Sequence, residues 1–462
     1  MSRLHGALLV LAAALASSAA AQQQPPLPGP ARPLQLPTPS TFTLDNGLEV
    51  TFIDFGTVPK VTVAVAVRSG SLNEGAQTWL ADLTTDLLKE GTAQRTAKQI
   101  AEDALQMGGE VAVGVGEDET SLSLDVLSEY GADAMALLAE ILTQPRLPAE
   151  EWPRIKQNYL RNLSVQGSQP QSLASAAFAA LLYPDHPYGR AFPTEAQLQA
   201  YSIDDARRYY ADNFGARRTH VYVAGKFDRE VLERAIKTSL GQWRAGPALL
   251  DLPPATTAAK KVELIDRPGA PQSTLRIGKR VIDPAQPDFM ALSLANTLLG
   301  GSLTSRITMN LREVKGWAYS PGSALAARYH QGAWQENADV RVEATGPALR
   351  EIFKEIDVLR QQPPSEAELT AVKNFRNGTF VISSATRTGL IGQLAFVDLH
   401  ELPADWLTTW VARLYAVTPE QITAAARKYL NPADMSVVVL GDMKSVRPQL
   451  QAVDALRKDL PK

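Results

Sequence analysis

Asp82 and Asp86 stand one helical turn apart, with Thr85 beside them. Two carboxylates at i and i+4 leave a helix on the same side and can offer oxygen ligands to one hard metal ion. The same spacing also suits a solvated helix face. Imidazole chemistry is confined to five histidines, His5, His186, His220, His330 and His400, and no two of them lie at i,i+4 spacing. Cysteine is absent, which excludes disulfides, thiol nucleophiles, iron–sulfur clusters and thiolate zinc sites. Gly114-Val115-Gly116 lacks the third glycine of a dinucleotide fingerprint, and neither a phosphate-cradling loop nor a G-x-S-x-G elbow occurs. Lys+Arg at 46 against Asp+Glu at 49, a net charge of −3, is not the balance of a nucleic-acid binder.

The elements around these residues can be read from period and punctuation. Leu80, Leu83 and Leu87 form the apolar stripe of a helix over 79–90 that Gly91 ends, with Asp82, Thr85 and Asp86 on its other side. Val61, Val63, Val65 and Val67 alternate with Thr62, Ala64, Ala66 and Arg68, the pattern of a half-buried strand. Asp45-Asn46-Gly47 turns a hairpin over 41–55, and residues 119–127 alternate again. Helices are expected over 132–143 and 149–166, the second stopped before Pro170. The fold class that follows is α+β: a mixed, mostly antiparallel sheet covered by helices on one face.

At 462 residues the chain is long enough for two to four domains at ~100–200 residues each. Its start has the layout of a secretory signal peptide: Arg3, an apolar run over 6–16 too short to span a bilayer, and Ala19-Ala20-Ala21 as a cleavage pattern. Residues 1–21 are therefore expected to be removed on export to the periplasm, and the Pro/Gln-rich 22–40 to be a flexible leader. No later stretch has the length and apolarity of a membrane span. An internal repeat divides the rest. ARRYYADNFG near 206 returns as ARKYLNPADM near 426; Pro148, Lys156 and Leu80-Ala81-Asp82 return as Pro364, Lys373 and Leu294-Ala295-Asn296, at a nearly constant offset. Two homologous domains are expected, 41–245 and 261–462, joined by the linker 246–260.

Several segments carry a family resemblance: LDNGLEV (44–50), VAVRSGSLNE (65–74), LLKEGTAQRTAKQI (87–100), MGGEVAVGVGEDETSLSLDVLSE (107–129) and LANTLLGGSLTSRITMNLREVKGWAYSPGS (294–323). Together they resemble the insulinase/pitrilysin family of inverted-zinc metallopeptidases, in its processing-peptidase-like branch. The family fold is two similar α+β domains facing each other. Its zinc motif, H-x-x-E-H, places two histidines on zinc and a glutamate as general base, with a further glutamate ligand about 75–80 residues on. Asp82, Thr85 and Asp86 occupy the motif positions here, and Tyr159 to Val165, where the last ligand should fall, holds no acid. Carboxylates in place of imidazoles move metal preference away from zinc, and a threonine is no base at neutral pH.

The resemblance also assigns Arg312 and Tyr319, seven positions apart in LREVKGWAY, to the pair that holds substrate and stabilises the developing oxyanion. Gly300-Gly301-Ser302 and Gly316 are expected to shape their loop, and His186, in YPDHPYGR, to brace the fold. The expectation is a subunit with neither metal nor catalytic activity of its own. It would supply Arg312 and Tyr319 to a homologous chain that carries the zinc, in a heterodimer acting on extended peptides. The alternatives are a dead scaffold or peptide-binding protein, and a metallopeptidase with an unusual metal site at Asp82 and Asp86.

Overall fold

A computed structural model describes residues 35–254 and 259–461; the signal-peptide segment, most of the leader and part of the linker lie outside them. The residues from Leu36 onward form one unit built on two sheets. The first contains β1 (Ser40–Thr43), β2 (Glu49–Asp54), β3 (Lys60–Val67), β4 (Ala112–Val115), β5 (Thr120–Leu127) and β6 (Thr219–Gly225) in the order β1-β2-β6-β3-β5-β4. The second contains β7 (Val262–Asp266), β8 (Gln272–Val281), β9 (Gly322–Arg328), β10 (Gln331–Arg341) and β11 (Ser436–Gly441) in the order β7-β11-β8-β10-β9. Each sheet has one parallel pairing, β2 with β6 and β7 with β11, and is otherwise antiparallel. Remove β1 and the two orders correspond strand for strand.

The equivalence reaches individual hydrogen bonds. Lys156 donates to the carbonyl of Tyr201 at 3.0 Å, and Lys373 to that of Tyr415 at 2.8 Å. Thr62 bonds Asp125 at 2.6 Å across one sheet, and Thr274 bonds Asp339 at 2.7 Å across the other.

One expectation needs correction. The sheets are not covered on one face only. The helix Trp152–Ser168 does stop before Pro170, but a further helix, Pro170–Leu182, begins there at once, with proline at a first-turn position where its missing N–H costs nothing. Phe178 and Leu182 of this helix pack with Val438 and Leu440 of the second sheet. The helix Arg387–Leu399 does the reverse, laying Leu390 and Ile391 on Ala66, Tyr222 and Ala224 of the first. This explains why Val61, Val63, Val65 and Val67 alternate with small residues. The valines face their own helices, and Thr62, Ala64 and Ala66 leave room for a helix from the other half.

Polar contacts seat both crossings. Arg387 clamps Asp125 at 2.8 and 3.1 Å and reaches Thr62 at 3.1 Å, and Gln171 reaches Asp339 at 3.2 Å. Burial alone would raise Asp125, but hydrogen bonds from Lys60, Thr62 and Arg387 hold its carboxyl below the usual range.

Candidate functional site

The helix Leu80–Leu88 carries Asp82, Thr85 and Asp86, which the sequence resemblance sets at the zinc-motif positions, and its surroundings decide what they can do. Trp79 caps it in the left-handed region at φ 69°, a conformation that costs a bulky residue energy and needs surrounding contacts to hold it. The indole is held edge-on by Tyr159 and Phe192, each at 5.8 Å between ring centres. Glu74 accepts the backbone N–H groups of Trp79 and Ala81 at 3.1 and 2.8 Å, tying down the helix start.

Asp82 and Glu74 line a cleft of about 690 Å³ together with Trp79, Arg190, Phe192 and Arg328. The cleft lies where the first half meets the helix Pro170–Leu182 and strands β9 and β10. Burial, helped by the negative charge of Asp86, pushes Asp82 up to about 6. Burial, with Asp82 adding to it against the two backbone donors, pushes Glu74 up to about 8.

These residues do not fit zinc. Asp86 is turned aside: it accepts the Tyr159 hydroxyl at 2.9 Å and pairs with Lys89 at 3.1 Å. Tyr159 thus sets a phenol on the helix segment where the resemblance implies a third ligand. Among the described residues no three of His, Cys, Asp and Glu converge on one point. Thr85 does not lie on a solvated face; it is buried, and its hydroxyl has no hydrogen-bond partner. Nothing in the sequence marks this contact of Tyr159, since an aromatic flanked by polar residues does not show which helix it packs against.

Arg312 and Tyr319 meet. The guanidinium carbon lies 5.1 Å from the centre of the Tyr319 ring, a cation–π distance. The segment before them is pinned from below. Ile307 and Leu311 are fully buried, Arg306 forms a fork with Glu368 at 3.0 and 3.1 Å, and Asn310 bridges Glu351 and Glu355 at 2.9 and 2.8 Å. The π-helical turn Met309–Val314 puts Arg312 outside, and a bridge between Ala318 and Val340 fixes the backbone beside Tyr319. Gly316 sits at φ +62°, and a Cβ on Gly300 would come within 2.5 Å of the Ser323 nitrogen, so the loop needs both glycines. Tyr319 is 80% exposed, Arg312 is half-buried and pairs with its neighbour Glu313 at 3.1 Å, and neither residue lines the cleft.

His186 is buried, takes the N–H of Tyr188 at 3.2 Å and bonds the carbonyl of Leu252 at 2.8 Å. It braces the segment leading out of the first half.

Residues 50–193 match the family model described as insulinase (Peptidase family M16), and residues 200–375 match the one described as the Peptidase M16 inactive domain. A Mycobacterium tuberculosis relative, named an uncharacterized zinc protease, is 26% identical over 444 residues, 93% of this chain and 99% of its own length. The crystal structure of a peptidase M16 inactive domain from Pseudomonas fluorescens is 26% identical, with a TM-score of 0.82 over 87% of this chain and 98% of that one. The periplasmic protease PqqL from Escherichia coli has a similar fold at 17% identity, with a TM-score of 0.76 over 92% of this chain and 50% of that one.

Proposed function

The chain belongs to the insulinase family of peptidases, family M16, and from that premise we propose that it is the non-catalytic subunit of a heterodimeric periplasmic zinc peptidase. It lends Arg312 and Tyr319 to a homologous partner that carries the zinc. The supporting observation is a division within the molecule: Asp86 is spent on Tyr159 and Lys89 and Thr85 is buried, whereas Arg312 and Tyr319 lie together outside the cleft, with the Tyr319 ring exposed. A pair displayed outside its own cleft suits a site completed by another chain. The partner's zinc would polarise water and the scissile carbonyl. Arg312 and Tyr319 would hold that carbonyl and its developing charge with N–H and O–H donors. Strand β4 is an edge of its sheet, and its Val115 lines the cleft, so an extended peptide can bind there by strand addition.

The test is to mix the purified chain with a homologous chain bearing an intact H-x-x-E-H motif and follow hydrolysis of a fluorogenic peptide. Activity should exceed that of the zinc chain alone, and Arg312→Ala with Tyr319→Phe should remove the gain by about 10²-fold or more, the scale of losing oxyanion donors. No gain on mixing, or a gain untouched by the double substitution, overturns the reading and leaves a scaffold or peptide-binding protein. Peptide hydrolysis by the chain alone, with stoichiometric metal, would instead establish the unusual site at Asp82 and Asp86.

A further inference from the structure

The second half has its own counterpart of the lost metal site. Helix Phe289–Leu299 stands in its half as Leu80–Leu88 does in the first, with Asn296 answering Asp82. The long helices Trp152–Ser168 and Glu366–Ser384 correspond through Lys156 and Lys373, which make the same hydrogen bond. Three residues beyond each lysine stand Tyr159 and Arg376. Where Tyr159 in the first half bonds Asp86, Arg376 in the second borders a cavity of about 520 Å³ together with Asn296, Ser293 and Gln393.

Arg376 has no carboxylate partner among the described residues. Its Nη2 donates to Ser293 Oγ at 3.2 Å, while its Nε is buried with no partner. Burial alone holds its pKa below the usual guanidinium range. An arginine withdrawn from water without a counter-charge is costly, and its planar fork matches a carboxylate at two points. Aromatic faces form much of the wall, beside the neutral polar side chains: Phe380 stacks on Trp410 at 4.1 Å and 17°, and Phe396 stands 5.7 Å from Trp406. With one cation set among neutral polar groups and aromatic faces, the cavity is shaped for an amphipathic anion.

We propose that this second-half cavity binds a carboxylate attached to an aromatic or large aliphatic group, with Arg376 taking the carboxylate and Phe380, Phe396, Trp406 and Trp410 taking the apolar body. The same chemistry is offered by a small free acid and by the C-terminal residue of a peptide. This site shares no lining residue with the cleft and does not depend on Arg312 or Tyr319.

The experiment titrates the full-length chain with N-acetylphenylalanine and with its neutral amide, by calorimetry and by tryptophan fluorescence. The acid should bind saturably and at least about 10-fold more tightly than the amide, as expected for a buried charge pair. Arg376→Gln should abolish that preference, and Arg376→Lys, which keeps the charge without the fork, should reduce it several-fold while leaving the melting temperature close to wild type. An N-acetylated tetrapeptide ending in phenylalanine distinguishes the sources: binding as tight as the free acid identifies a peptide end, and exclusion of the tetrapeptide while the acid binds identifies a small acid. Equal affinity for acid and amide, an undiminished preference in either variant, or no saturation by the acid at about 10 mM, the weak limit of specific binding, overturns the proposal.

Discussion

Thr85, which the sequence resemblance sets at the general-base position, is buried and its hydroxyl has no partner. A buried orphan hydroxyl is a liability that an isosteric methyl removes. Thr85→Val is therefore expected to leave stability unchanged or raise it by ~0.5–1 kcal/mol in urea denaturation; a loss beyond 1 kcal/mol would mean that the hydroxyl has a partner after all. Asp82 and Glu74 make a second prediction. Their folded pKa values of about 6 and about 8 lie above the ordinary 3.8 and 4.5. The unfolded chain therefore releases these protons first as pH rises. Their contribution is complete below pH 4 and is lost through pH 6 for Asp82 and through pH 8 for Glu74. The melting temperature should fall across that range. Asp82→Asn should flatten the fall between about pH 4 and 6 and add ~1–2 kcal/mol at pH 7, the shift being discounted for the solvent in the cleft. An unchanged pH profile in Asp82→Asn would show that the carboxyl is not held protonated. Residue types alone show that Asp82, Thr85 and Asp86 do not make a histidine–glutamate motif. They do not show that Tyr159 bonds Asp86 or that Thr85 is buried, because both depend on which helix packs across Leu80–Leu88.

Among the elements, period located β3, the Asp45-Asn46-Gly47 turn located the hairpin, and the apolar stripe with Gly91 located the helix, which ends at Leu88, just before that glycine at φ +133°. Period gives the face of a strand but not its partner. Val61 to Val67 was legible as a strand with one apolar face, yet the use of its small-residue face as a seat for Arg387–Leu399 was not, since alanine and threonine also mark a solvated face. That seat supplies the element-scale prediction. Arg387 makes a two-point contact with Asp125 and touches Thr62, whereas the Gln171 side chain gives the opposite crossing one bond at 3.2 Å, beside the bond from Arg276 to Ser175 at 3.1 Å. Arg387→Ala should cost ~1–3 kcal/mol, as for a charge-assisted, partly buried bond, and Gln171→Ala under ~1 kcal/mol. Lys60 still covers Asp125 in the arginine variant, at 2.6 Å, so the loss should stay below that of an abandoned buried charge. Equal losses, read from chemical denaturation, would show that the two crossings are not seated by these polar contacts.

The whole molecule is a duplicated unit whose copies have exchanged a helix. The repeat was legible because insertions between the halves are few, so Pro148, Lys156 and Leu80-Ala81-Asp82 keep a nearly constant offset from their counterparts. The exchange was not, because an internal repeat reads the same whether each copy folds on itself or on its neighbour. It has a consequence for how the halves hold together. Each sheet completes its second face only with the other half's helix: Phe178 and Leu182 on Val438 and Leu440, Leu390 and Ile391 on Ala66 and Tyr222. Arg328 adds a bridge to Glu117 at 2.5 Å, and the carbonyl of Leu252 is held by His186. Continuity of the chain through 253–259 should therefore be dispensable. Co-expressed as two pieces broken there, the protein should elute as one 1:1 particle with the far-UV spectrum of the intact chain. Its cooperative unfolding should become concentration-dependent, as association replaces a covalent link. Either piece alone should expose the apolar face of an uncovered sheet and aggregate. Two pieces that stay folded and apart would show that the crossing helices add little, and that the halves are held in place chiefly by the linker.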